Sequence, residues 1–239
     1  MTGPEARGAG VRRAVRSIEA AAIAGIVFSA GFIVGLILLS RTPGSGASAA
    51  EIVAFYEDPG RIRPVIAGLQ IIPIAAIGLL WFIAVVRRRI GDREDKLFST
   101  VFLGGGLMYT AMVLVGSAAV AAPAVVTSMG DRPLEPDTAL ALRAFGISLY
   151  VVHASRLGSL FILSASTLGL RSGAFPRVIS FVGYALGLSL ILPLPIISPF
   201  RFVFPAWVGI ISIFLLIRRG AVPSEPAGAP PGGPRPGRA

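Results

Sequence analysis

The chain has 239 residues, of which 54% are hydrophobic and 14% charged, against about 25% charged in an ordinary soluble domain, which excludes a soluble globular core. It has no cysteine, so disulfides, thiolate metal sites and thiol nucleophiles are excluded too. The formal charge of +10 would suit nucleic acid, but the arginines stand at the ends of apolar runs and not on a polar, aromatic-bearing surface. Nucleic acid is not expected, and the basic residues read as membrane-topology signals.

The pattern predicts an all-α polytopic membrane protein, a bundle of six transmembrane helices over 18–219. Residues 1–17 form a polar tail with Arg7, Arg12, Arg13 and Arg16. The apolar run 18–40 has a basic start like a secretory signal, and Ala47-Ser48-Ala49 resembles a cleavage site. A run of about 22 residues exceeds the 7–15 of a signal core, and the small residues lie beyond its end, so it is the first span. Gly31 and Gly35, with Ala21 and Gly25, give it small-residue spacing for close helix contact. In the connection 41–63, Ser48 and Glu51 have capping-box spacing and open a short amphipathic helix that Asp58-Pro59-Gly60 halts. The second span is predicted over 64–86, with Pro64 at its start, Pro73 as a kink and Gln70 as its only strongly polar side chain.

The run 87–96, RRRIGDREDK, is too charged to be anything but solvated. The third span is predicted over 97–122. Its Gly104-Gly105-Gly106 reads as tight packing or local helix weakness, because a phosphate loop would need a preceding strand and a following Lys-Ser/Thr. The connection 123–144 carries Asp131, Arg132, Glu135 and Asp137, and its latter part is expected to be helix that continues into the fourth span, 148–170. Ser172-Gly173 makes a turn, Pro176-Arg177 starts the fifth span, 176–197, and Gly183 and Gly187 repeat the small-residue spacing. Pro193, Pro195 and Pro199 crowd its end, and the apolar link 193–200 is expected at the membrane surface. The sixth span, 202–217, would be about 24 Å long, short for a hydrocarbon core of about 30 Å, which asks for local thinning or an extra turn from the link. The tail 220–239, rich in Pro, Gly and Ala, is expected to be disordered. Six spans leave fifteen Arg and Lys residues at one side and six at the other, which predicts both termini in the cytoplasm.

The stretch YVVHASRLGSLFILSASTLGLR, 150–171, is long enough to cross a bilayer yet holds His153 and Arg156. At about 100° per residue, Ser155, Arg156, Ser159, Ser166 and Thr167, with His153 and Ser164, share one half of the helix; Leu157, Phe161, Ala154, Ala165 and Leu168 share the other. Hydrocarbon cannot hydrogen-bond these polar groups, so the polar half is expected to face helices or a cavity and the aliphatic half lipid. On that topology Arg156, His153, Gln70 and Ser159 form a candidate binding cluster in the outer half of the membrane, with Arg156 about 10 Å deep. Available counter-charges are Glu57, Asp58, Asp131 and Asp137, with Glu51 and Glu135. Such a pocket would attract an anionic or polar solute; alternatively Arg156 pins helices through a loop carboxylate or carbonyls, or snorkels outward.

His153 is the sole histidine, whereas a catalytic zinc needs about three protein ligands and a bis-histidine haem two, so no metal or cofactor is expected. No span carries an acid to orient the imidazole beside Ser155 or Ser159, so neither a hydrolase nor any other enzyme is expected. The role that follows is unassigned, structural or as the membrane subunit of a larger assembly; the alternative is a small-solute transporter or channel using Gln70, His153 and Arg156. Expected partners are the lipid bilayer and either a second copy of the chain or another membrane protein.

The segment RSGAFPRVISFVGYALGL, followed by FPAWVGIISIFLL, resembles an uncharacterised family of multi-pass membrane proteins of actinobacteria. There a pattern close to R-x-G-x-x-P-R introduces the fifth span, and a loop helix resembling AEIVAFYEDPGRIR precedes the second. The resemblance covers about two-thirds of the chain. It implies six helices and a bacterial cytoplasmic membrane, and brings no activity or site residues.

Overall fold

A computed structural model describes residues 4–90, 96–130, 134–173, 175–192 and 198–219. Asp131, Arg132, the 91–95 part of the charged run, Pro193, Pro195 and the tail 220–239 lie outside the described residues. The elements are α1 (Pro4–Leu39), α2 (Ala49–Glu57), α3 (Pro59–Ile90), α4 (Lys96–Met129), α5 (Pro136–Ser148), a π-helical turn (Leu149–Ala154), α6 (Ser155–Arg171), α7 (Arg177–Ile191), a 3-10 turn (Ser198–Phe202) and α8 (Val203–Arg219). Five stretches are long and apolar enough to cross a membrane, Ala22–Leu39, Pro59–Arg87, Leu97–Met129, Pro136–Arg171 and Phe200–Ile217; Arg177–Ile191 is a shorter apolar helix. The all-α polytopic bundle therefore stands, with five helical stretches of spanning length and one shorter apolar helix of 15 residues, about 22 Å long.

Local chemistry sets the helix ends. Ser48 and Glu51 form the reciprocal capping box at the start of α2: the Glu51 N–H donates to Ser48 Oγ over 3.3 Å and the Ser48 N–H to Glu51 Oε2 over 2.7 Å. Asp58 then ends α2 and begins α3, its Oδ1 accepting the Gly60 N–H at 2.8 Å and its Oδ2 lying 3.2 Å from Arg61 Nε. This moves the start of α3 to Pro59, so Pro64, expected at the helix start, lies inside the helix with Pro73. Likewise α4 runs through Pro123 to Met129. Gly173 supplies the left-handed residue after α6, at φ 69°.

The long helices alternate in direction, and α1 begins at the end of the bundle where α8 finishes; the opposite end carries α2. In lipid, helices gain no hydrophobic driving force by leaving the solvent for one another, so close backbone approach and ring packing have to hold them. α1 packs along α3, where Gly35 lies against Ile72 and the Gly68 carbonyl and Gly31 against Ala75. α4 meets α5 where Gly116 and Gly146 each face the other's carbonyl. α7 rests on α6 through Gly183 at Ser166 and Gly187 at Leu163. Through the centre runs a set of rings from four helices: Phe28 and Phe32 (centroids 5.3 Å apart), Tyr109 stacked on Phe204 (3.8 Å), Phe102 stacked on Phe161 (4.4 Å), Phe161 tilted on Phe204 (5.4 Å), and Trp207 edge-on to Phe161 (6.3 Å). Outside, Ile74, Trp81, Leu107, Met108, Val178, Phe181, Ile210 and Ile213 are exposed. So much apolar surface belongs against acyl chains.

The glycines give a paired test. A methyl at Gly146 would lie 2.6 Å from the Gly116 carbonyl, whereas one at Gly104 meets nothing within 4 Å. Gly146→Ala should lower the melting temperature of the detergent-solubilised protein by the equivalent of about 1–3 kcal/mol, and Gly104→Ala should raise it by about 0.5–1 kcal/mol. A second test is pH. The Glu51 carboxyl is held below its ordinary value by the Ser48 N–H and hydroxyl, so its support of α2 is complete above the ordinary carboxylate range and is lost as pH falls through the lowered value. Hydrogen-exchange protection at Ile52 should drop there in the native chain, and the difference from Ser48→Ala should vanish.

Candidate functional site

Among the described residues no hydrogen bond or ion pair joins the members of the cluster expected on α6. Gln70, His153 and Arg156 are all exposed. Arg156 Nη1 donates to the Val152 carbonyl of its own helix at 2.7 Å, and His153 Nδ1 lies 3.3 Å from the Ser148 carbonyl. Gln70 stands on α3, which packs on α1 and α4. Ser159 is fully buried and is not among the residues that line the cavity described below. Glu57, Asp137, Glu51 and Glu135 are exposed, and Asp58 serves α3 and Arg61. The division of α6 into a polar inner and an aliphatic outer half is thus corrected: Phe161, Ala165 and Leu168 are buried together with Ser155, Ser159, Ser164 and Ser166. The cause is its neighbours. α4, α7 and α8 cover α6 nearly all round, leaving an exposed strip that carries Val152, His153, Arg156 and Leu160.

A different site lies at the α2 end. The last turns of α1, the middle of α4, α5, the π turn, the start of α6, α7, the 3-10 turn and α8 line a partly open cavity of about 200 Å³. Phe32, Tyr109 and Phe204 from the ring cluster line it with Leu36, Leu39, Val120, Ile147, Val151, Ala154 and Leu190. The polar lining is Ser40, Thr42, Tyr150, Ser155 and two arginines, Arg143 and Arg201; among the described residues no carboxylate lines it.

The π turn shapes this wall. Its wider winding presents Tyr150, Val151, Ala154 and then Ser155 to the cavity, and the Tyr150 carbonyl accepts both the Ser155 N–H and the Ser155 hydroxyl, the latter at 3.0 Å. Arg143, two turns earlier, is half-buried and fixed across the bundle: its Nε donates to Thr42 Oγ1 at 3.1 Å, and Thr42 donates to the Leu39 carbonyl at 3.0 Å. Among the described residues Arg143 has no carboxylate partner, so most of its five donors are open to a ligand. Arg201 is close enough for its charge to act on Arg143. Tyr56 of α2 is close to Arg143 too: burial raises its phenol above the ordinary value, and the positive charge of Arg143 opposes that rise. The Tyr150 hydroxyl is buried beside Ser117, but no bond of ordinary geometry joins it to the protein.

Elsewhere Ser159, Ser166, Ser180 and the Trp207 indole N–H are buried without partners. Ser166 and Trp207 face Gly183 between α6, α7 and α8, away from the cavity. Among the described residues no three His, Asp or Glu side chains converge as metal ligands would. The cavity's chemistry is that of binding: an apolar interior with guanidinium donors on its wall.

Sequence reasoning counted Arg143 and Arg201 only as loop charges. A signal for Arg143 existed, because 143, 147, 150, 151 and 154 follow helical spacing on one face; starting the fourth span at 148 cut Arg143 away from it.

Comparison of the chain with protein-family models, curated proteins and solved structures found no match.

Since Arg156 touches only its own helix, Arg156→Ala should leave the melting temperature within the equivalent of about 0.5 kcal/mol of the native protein. A large loss would restore the view that it pins the bundle.

Proposed function

We propose that this is a ligand-binding protein of a bacterial cytoplasmic membrane, acting as the membrane subunit of a larger assembly, with both termini in the cytoplasm and the α2-end cavity at the outer side. The observation that carries the binding reading is the cavity itself: a partly open space of about 200 Å³ between the helices, with Arg143 tied to Thr42 and, among the described residues, no acid on the wall. Unfilled space of that size forfeits packing contacts, and a half-buried guanidinium without a counter-charge is costly. A bound molecule relieves both. The orientation rests on the fifteen-to-six bias of Arg and Lys. Transport through Gln70, His153 and Arg156 has less support, because these side chains face away from the cavity.

The test is to fill the space. Val151→Phe adds a ring at the cavity wall; it should preserve folding and remove the small molecules that co-purify with the native protein in native mass spectrometry. Native protein that carries nothing and is not stabilised by any added compound would leave a purely structural role. A fluorescent reporter fused to the C-terminus should light up inside the cell, and a signal outside would reverse the orientation.

A further inference from the structure

We propose that the ligand of this cavity is an anionic amphiphile, with a carboxylate or phosphate head at Arg143 and Arg201 and one apolar chain against Phe32, Leu36, Tyr109 and Phe204. This rests on the reading of the cavity as a binding site and names what it takes. Two guanidinium groups share a small wall on which, among the described residues, no carboxylate stands, and in a low-dielectric setting their repulsion is relieved best by an anion. The remaining surface selects against the other classes. A polyhydroxylated solute would set its hydroxyls against phenylalanine and leucine, at the cost of unmade hydrogen bonds. A cation would be repelled, and a neutral lipid would leave Arg143 without a carboxylate or phosphate to meet it.

Size limits the chain. The cavity of about 200 Å³ exceeds the ~150 Å³ that accommodates benzene and falls below the ~300–1,000 Å³ of drug-sized pockets, so it holds one short chain or the end of one, not a whole two-chain lipid. Thr42 and Ser155 line the same wall, their hydroxyl protons already given to the Leu39 and Tyr150 carbonyls. The Tyr150 hydroxyl, buried and without a protein partner of ordinary geometry, is a further donor to an anionic oxygen.

The test compares heads on one chain length. Full-length protein in a non-ionic detergent is titrated with octyl phosphate, octanoate, octanol, octyltrimethylammonium and inorganic phosphate, with thermal shift as the readout. Octyl phosphate and octanoate should bind roughly 10- to 100-fold more tightly than octanol, the difference of about 1.5–3 kcal/mol that charge-assisted hydrogen bonds provide; octyltrimethylammonium and inorganic phosphate should be weaker still. Arg143→Gln and Arg201→Gln should erase the preference for the anion while leaving the weak binding of octanol, and Arg156→Gln should change nothing. Should a Gln variant fail to fold, Arg143→Lys should retain the preference in reduced form. Equal binding of octanol or of the cation overturns the anionic head, and equal binding of inorganic phosphate overturns the amphiphile in favour of a free anion. If no probe binds to folded native protein, the reading of the cavity as a site falls with the proposal.

Discussion

Ring packing at the centre of the bundle is the constraint on which the rest depends. Phe28 and Phe32 from α1, Tyr109 from α4, Phe161 from α6 and Phe204 from α8 meet where no aqueous driving force assists, and each pair contributes only about 0.5–1.5 kcal/mol beyond area burial. Small residues make this possible. With Gly105 against the Phe161 backbone and Gly158 against Phe204 and Tyr109, helices come close enough for rings on different spans to touch. The rings then fix helix spacing at mid-bundle, and the space above them at the α2 end follows from it. The cavity floor is the upper surface of this cluster.

The π turn belongs to the same geometry. A regular helix from Pro136 to Arg171 would keep one face inward throughout; the turn at Leu149–Ala154 widens the helix where α4 presents Gly116 and Tyr109. Gly116 accepts the close approach of Gly146 just before the turn, and Ala154 and Ser155 continue inward just after it. Arg143 therefore reaches Thr42 on one side of the turn while Phe161 reaches its ring partners on the other.

Fold class was legible because apolar length and charge position are one-dimensional properties: each apolar run appears as a helix, and the Ser48 to Glu51 box forms as its spacing says. Helix ends were read less well. Pro64 looked like a start because proline favours first turns, but Asp58 with Pro59 makes a better one five residues earlier. The site was hardly legible. An intramembrane arginine and histidine draw attention on chemical grounds, yet which way Arg156 faces is decided by how many helices surround α6. Arg143 and Arg201 come together from segments far apart in the chain, so no local pattern could join them. The triple glycine was correctly read as packing, but only the surroundings separate open Gly104 from crowded Gly105 and Gly106.

α1 packs against α8 as well as α3, with Gly25 at Ser212 and Gly209 at Ser29. The first helix to enter the bilayer is thus completed by the last. At about 5–20 residues per second of synthesis, Gly25 waits roughly 10–40 s for Ser212 to emerge, with its surface covered in the interval only by lipid or by whatever assists insertion. The bundle closes as a ring does, where α8 meets α1.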